Sequence, residues 1–171
     1  VTILVDWQIV ERCAAGMVTP FVPELVNPAS LDVRLGDTLL IESVEGRELK
    51  PYPLSQHSQK DPYWLRPGQF VLASTVEQFD IPADVSAQFL LKSSRAREGL
   101  NHLLAGWIDP GWSGSVLTLE LHNVRQLQPV ALWPGMKIGQ IVFHYLASTP
   151  ARSYAETGRY NGDTTVQGSR G

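Results

Sequence analysis

Between Lys92 and Glu120 the chain gathers, within about thirty residues, side chains suited to handling a phosphorylated substrate. Lys92-Ser93-Ser94-Arg95-Ala96-Arg97 offers hydroxyls and guanidiniums, which give directional hydrogen bonds to a multiply charged oxyanion. The Gly/Pro-rich run from Ala105 to Gly114 carries one carboxylate, Asp109, and Thr118-Leu119-Glu120 carries another on an apolar stretch. A positioned carboxylate can take a proton from water. Each piece also has an ordinary explanation. Ser-Ser-x-x-Arg is a common solvated turn, Asp before Pro-Gly is a common turn residue, and a strand Glu is commonly solvated.

Strands must position these groups. At a period of two, Leu117, Leu119 and Leu121 share one side, while Val116, Thr118, Glu120 and His122 share the other. The leucine side is predicted to be core, so Glu120 faces solvent or a polar pocket. Further strands are predicted at Thr38–Val44, Phe70–Thr75, Val85–Leu91 and Ile138–Tyr145, each rich in branched or aromatic residues and bounded by turn formers. Pro67-Gly68, Pro110-Gly111 and Pro134-Gly135 suit type II turns, where the second central residue needs positive φ. One short helix is predicted from an N-cap at Asp6 to a C′ glycine at Gly16. Ser55–Pro62 reads as an exposed loop. From Ser148 to Gly171 aliphatic residues almost vanish, so this stretch is predicted not to fold alone and to be able to close over a ligand.

Composition narrows the class. A length of 171 residues with 43% apolar content supports one domain over 1–171 with a substantial core. A net charge of −3 argues against a nucleic-acid polymer as partner, so a polyanionic ligand must be met locally. Cys13 is alone, which leaves neither a disulfide framework nor a cysteine-based zinc site and fits a reducing, cytoplasmic setting. No signal peptide or membrane span is expected.

The ordered set of Asp6, Pro28-Ala-Ser-Leu-Asp-Val-Arg-Leu-Gly36, Pro67-Gly-Gln-Phe-Val-Leu-Ala-Ser-Thr75, Lys92-Ser-Ser94, Ala105-Gly-Trp-Ile-Asp-Pro-Gly111, Leu119-Glu-Leu121 and Trp133-Pro-Gly-Met-Lys-Ile-Gly-Gln140 resembles the dCTP deaminase family, relatives of the trimeric dUTPases. The resemblance covers nearly the whole chain. It implies a mainly β, distorted jelly-roll or barrel-like protomer of the dUTPase type with a short N-terminal helix. It also implies a homotrimer with active sites between subunits and a C-terminal arm, about 148–171, that folds over the nucleotide.

The implied activity is zinc-independent deamination of dCTP to dUTP and ammonia. Water attacks C4 of the base, with Glu120 as general base and proton shuttle. Many other deaminases make that nucleophile on zinc. The resemblance places Lys92, Ser93, Ser94 and Arg97 on phosphate and the catalytic centre, and puts the Ala105 carbonyl on the attacking water. Tyr154, Arg159 and Tyr160 would belong to the closing arm. Trp107 counts among the substrate-contacting positions, with a wall or core role as its alternative, as for Trp112 and Trp133. Magnesium would ride on the triphosphate. Asp109 matches the dUTPase residue that activates water against the α-phosphorus, so a dUTPase, or a bifunctional enzyme releasing dUMP and pyrophosphate, is the alternative. Asp32 and Arg34 match the first family motif, with structural pairing and substrate contact both open.

The sequence departs from the family pattern in four places. Leu91 stands for the usual Gly, Leu104 stands where many deaminases carry Thr, and segment lengths differ on either side of Asp109. In the arm, Asp163 falls where a Gln contacts the base; a carboxylate would accept from cytosine N4 and suit a uracil carbonyl poorly. These changes keep a non-catalytic nucleotide-binding regulator as a third reading. His102 is read as a structural histidine with a possible regulatory role, and His57, His122 and His144 are too dispersed for a metal cluster.

Overall fold

The computed structural model describes residues 2–171. The strands are, in chain order, β1 (Thr2–Ile3), β2 (Val18–Thr19), β3 (Val26–Asn27), β4 (Ser30–Arg34), β5 (Thr38–Ile41), β6 (Lys50–Pro53) and β7 (Tyr63–Leu65). There follow β8 (Phe70–Phe79), β9 (Val85–Leu91), β10 (Leu100–Asn101), β11 (Trp107–Ile108), β12 (Ser115–Asn123), β13 (Val130–Leu132) and β14 (Lys137–Tyr145). Short helices are α1 (Asp6–Ala14), α2 (Ser93–Arg97) and α3 (Tyr154–Thr157). One sheet has the order β11-β9-β14-β4-β3 with β1 added on β14, and the other β10-β12-β8-β5-β6 with β2 added on β8. Strands β13 and β7 form a separate pair. The fold is the expected mainly β architecture.

The two sheets enclose one apolar core. Leu31 and Val33 of β4, Ala87 and Phe89 of β9 and Ile141 and Phe143 of β14 meet Val71, Ala73, Leu119 and Leu121 from the opposite sheet. Burial on this scale is the main favourable term in folding. A lone bridge between Leu35 and Thr75 links the layers. All three Pro-Gly turns behave as predicted, with φ of +72° at Gly68, +86° at Gly111 and +77° at Gly135.

Element ends differ from expectation for local reasons. Helix α1 places Val5, not Asp6, at the N-cap. Gln8 Oε1 accepts the Val5 N–H at 3.1 Å, and Asp6 Oδ1 accepts the Trp7 N–H at 2.8 Å. Gly16 follows the C-cap Ala15 at φ +101°, as anticipated. Strand β5 stops at Ile41, where its pairing with Lys50 of β6 ends, and Val44 lies fully exposed in the hairpin beyond it. Strand β8 runs on to Phe79 because Glu77 is buried and paired: its carboxylate accepts from Arg34 Nε at 2.7 Å and from the Arg34 backbone N–H at 2.8 Å. Leu91 is half-buried against the core, opposite Gly139. No helix among the described residues is long and apolar enough to cross a membrane.

Candidate active site

Glu120 sits mid-strand on β12, in register with Leu72 of β8. Strict alternation buries Leu119 and Leu121 and turns Glu120 the other way, into a cavity of about 920 Å³. Leu40, Phe70, Leu72 and Leu117 give that cavity an apolar wall. Desolvation there pushes the Glu120 carboxyl above its ordinary range, offset in part by a backbone hydrogen bond. A carboxyl so raised is a better base than an exposed one. No ion pair supplies an arginine counter-charge to Glu120 among the described residues, so the apolar wall does the tuning. Leu117 departs from its predicted face in part. A register shift between Val116 and Thr118, with the Leu117 N–H donating to Thr75 Oγ1 at 2.9 Å, leaves it half-buried at the core edge and on the cavity.

Asp109 reaches the same cavity from the end of β11. Trp107, Ile108 and Asp109 all line the cavity, with Ile108 buried and Trp107 exposed. The Trp107 indole N–H donates to Asp109 Oδ1 at 3.0 Å. Gly106 lets β11 close on β9, since a Cβ there would stand 2.6 Å from the Phe89 carbonyl oxygen. Ala105 also lines the cavity, and just before it Leu103 and Leu104 hold φ of +55° and +63°, a costly conformation for leucine. Leu104 is 86% exposed, so its side chain contributes little to the pocket floor. His102 is buried edge-on against Phe89, and burial lowers its pKa.

The C-terminal stretch forms the remaining wall. Having few aliphatic residues, it attaches through hydrogen bonds to the 110–118 segment. Trp112 Nε1 donates to the Tyr160 carbonyl at 2.8 Å, the Val116 N–H to the Asp163 carbonyl at 2.8 Å, and the Tyr154 N–H to the Pro110 carbonyl at 3.1 Å. Gly111 is required here twice: by its positive φ, and because a Cβ would collide with Ser153 Oγ. Tyr154, Tyr160 and Asp163 line the cavity. The Asp163 carboxylate is already engaged by the Arg170 guanidinium, which also donates to the Arg159 carbonyl and lies over the Tyr160 ring.

The remaining anticipated residues lie elsewhere. Ser93, Ser94 and Arg97 are exposed on α2 and do not line the cavity, nor does Arg159. Arg97 has no ion-pair or hydrogen-bond partner among the described residues, which leaves its guanidinium available. Lys92 is not available: both oxygens of Asp32 lie 2.7 Å from its Nζ, so this ammonium is held by β4 rather than offered to a ligand. Asp32 and Arg34 are therefore both in structural pairs. No three His, Cys, Asp or Glu side chains converge as a metal-ligand set among the described residues.

Several wall residues were not anticipated. Leu72 and Phe70 follow from the β12–β8 register, opposite Glu120 and His122, once the strands are paired. Gln167, Gly168 and Ser169 also face the cavity, and the run Gly168-Ser169-Arg170-Gly171 was the signal available for them. Arg47 and Glu48 come from an exposed hairpin whose sequence gave no such signal.

A model of the dCTP deaminase-like family matches residues 3–146. A curated Methanosphaerula palustris protein named "dCTP deaminase, dUMP-forming" is 44% identical over 151 residues, covering 83% of this chain and 80% of its own. A protein of the same name from Clavibacter michiganensis is 42% identical over a 180-residue alignment, covering 99% of this chain and 87% of its own. Among solved structures, 2′-deoxycytidine 5′-triphosphate deaminase from Agrobacterium tumefaciens superposes with a TM-score of 0.67 at 24% identity, covering 84% of this chain and 48% of that one. A dUTPase from Streptococcus mutans gives a TM-score of 0.50 at 14% identity, covering 77% of this chain and 93% of that one. These two structural likenesses speak for the fold.

Proposed function

This chain is an enzyme of the dCTP deaminase-like family, and from that membership we propose that it converts dCTP and two waters to dUMP, pyrophosphate and ammonia. The observation that carries the proposal is that Glu120 and Asp109 line one cavity. The relatives' names favour dUMP over dUTP as the end product, which makes dUTP an intermediate.

In the first step Glu120 takes a proton from water as the oxygen bonds to C4 of cytosine. Glu120 passes that proton to N3, then takes the proton of the new C4 hydroxyl and delivers it to the amino group as the C4–N bond breaks, leaving a C4 carbonyl and ammonia. Ala105 lines the cavity, and its carbonyl would orient that water. In the second step Asp109 takes a proton from another water as it attacks the α-phosphorus, and pyrophosphate departs with the electrons of the broken P–O bond. Magnesium would be carried mainly by phosphate oxygens and water. The cavity's carboxylates, Glu48, Asp109, Glu120 and Asp163, fit a hydrated ion of this kind, and when bound it would supply charge neutralisation.

The phosphate partners are the least complete part of the cavity. Arg47 is its one lining arginine among the described residues, while Ser93, Ser94 and Arg97 stand exposed on α2. In a homotrimer, α2 of one subunit would complete the cavity of the next, which would account for the exposure of Ser93, Ser94 and Arg97. The test is incubation with dCTP and, separately, dUTP in magnesium, with chromatography of nucleotides and assays for ammonia and pyrophosphate. dUMP with ammonia and pyrophosphate from dCTP supports the proposal. dUTP as the sole nucleotide product would reduce Asp109 to a positioning role, and tight binding without turnover would favour the regulatory reading.

A further inference from the structure

We propose that Trp107 is the positioning residue for Asp109, setting the second step of the reaction through its indole N–H; this rests on the dUMP-forming reading above. Three observations carry it. Trp107 Nε1 is the sole side-chain donor to the Asp109 carboxylate among the described residues, at 3.0 Å. That bond ties Oδ1 and leaves Oδ2 to accept a proton from water, since a carboxylate with one oxygen anchored loses the freedom to rotate out of line. Finally, the indole is itself held. Trp107 pairs with Gln88 on β9, and its ring lies 6.0 Å from that of His144, inclined by 31°.

His144 completes the support as a packing surface rather than a polar partner. Both of its ring nitrogens are buried without hydrogen-bond partners. It sits opposite Ser86 on the strand next to β11 in the pairing order. The sheet therefore backs the indole on one side and leaves it 61% exposed on the other, next to the cavity. An aromatic ring without a donor would preserve this packing and lose the grip on Asp109. Glu120 is on a different strand in the other sheet, so the deamination step does not share that grip.

The experiment compares Trp107→Phe with the native enzyme, and adds a second variant in which β-(3-benzothienyl)alanine replaces Trp107, exchanging N–H for sulfur within the same ring outline. With dCTP in magnesium, ammonia release and dUMP release are followed separately, and dUTP hydrolysis is measured on its own. Losing a hydrogen bond to a charged group corresponds to roughly a tenfold or larger effect. We expect dUMP formation and dUTP hydrolysis to fall about tenfold in kcat, with ammonia release reduced far less, so that dUTP accumulates. Equal losses of ammonia and dUMP, or an unchanged dUTP to dUMP ratio in the benzothienyl variant, would overturn the assignment. Failure of the native enzyme to form dUMP would instead defeat the reading on which it rests.

Discussion

Asp32 holds Lys92 with both carboxylate oxygens at 2.7 Å from Nζ, fastening β4 to the residue that begins α2. The exposed serines and Arg97 of that helix therefore project from an anchored base. Lys137 adds a second ammonium at 3.3 Å and Asn27 an amide donor at 2.9 Å.

Burial alone would raise the Asp32 carboxyl, but donors from Lys92, Asn27 and Lys137 outweigh it and hold it below the ordinary range. Its contribution to stability is thus complete above the unfolded-state pKa and disappears as pH falls through the lowered folded-state value. Asp32→Asn should cost about 1.5–3 kcal/mol at neutral pH, leaving Lys92 without its charged partner. Urea unfolding at neutral and strongly acidic pH checks this; a difference that persists undiminished in acid would contradict it.

Glu120→Gln should reduce ammonia release by about a hundredfold or more, the usual scale for a lost general base. In the native enzyme the acid limb of the deamination rate should lie above the ordinary carboxylate range, because the desolvated Glu120 must lose its proton to act. A pH profile of ammonia release reads this limb. A limb in the ordinary range would show that Glu120 is solvated during turnover.

The same desolvation has the opposite sign for folding. Between the ordinary and the raised value the folded state binds more protons than the unfolded one, so stability falls as pH rises through that window. Glu120→Gln should therefore melt higher than the native protein above the window, and the gain should vanish below the ordinary carboxylate range. Melting curves across pH that run parallel for the two proteins would rule this out.

Mixing subunits tests whether α2 serves a neighbouring cavity. Arg97→Ala and Glu120→Gln proteins, each inactive alone, should recover about one quarter of native activity after denaturation together and refolding at equal amounts, because a site then draws its two halves from different chains. No recovery in refolded mixed oligomers would place both groups in one subunit's site.

Much of this was legible because local chemistry and global fold agree. The leucine alternation around Glu120 fixed its facing, and Pro-Gly pairs marked turns whatever packs against them. Motif order pointed to Asp109 and Glu120 together, although they come from different sheets. What stayed hidden depends on pairing partners distant in sequence. Nothing near Lys92 signals that Asp32 will take its charge, and nothing near Glu77 signals that Arg34 will let a glutamate be buried. The hairpin bearing Arg47 reaches the cavity through the course of β5 and β6, which a motif does not encode.

Because Glu120 is bracketed on β12 by two leucines that belong to the core, the strand cannot be retuned for one purpose without disturbing the other. The exposed hairpin at 42–49 and the cavity-lining residues 167–169 are less constrained, carrying neither a core position nor a catalytic carboxylate. Laboratory evolution toward other pyrimidine nucleotides should accumulate its accepted substitutions in those two segments. β12 would remain nearly invariant in such libraries, so that the general base is inherited while the reading of the base diversifies.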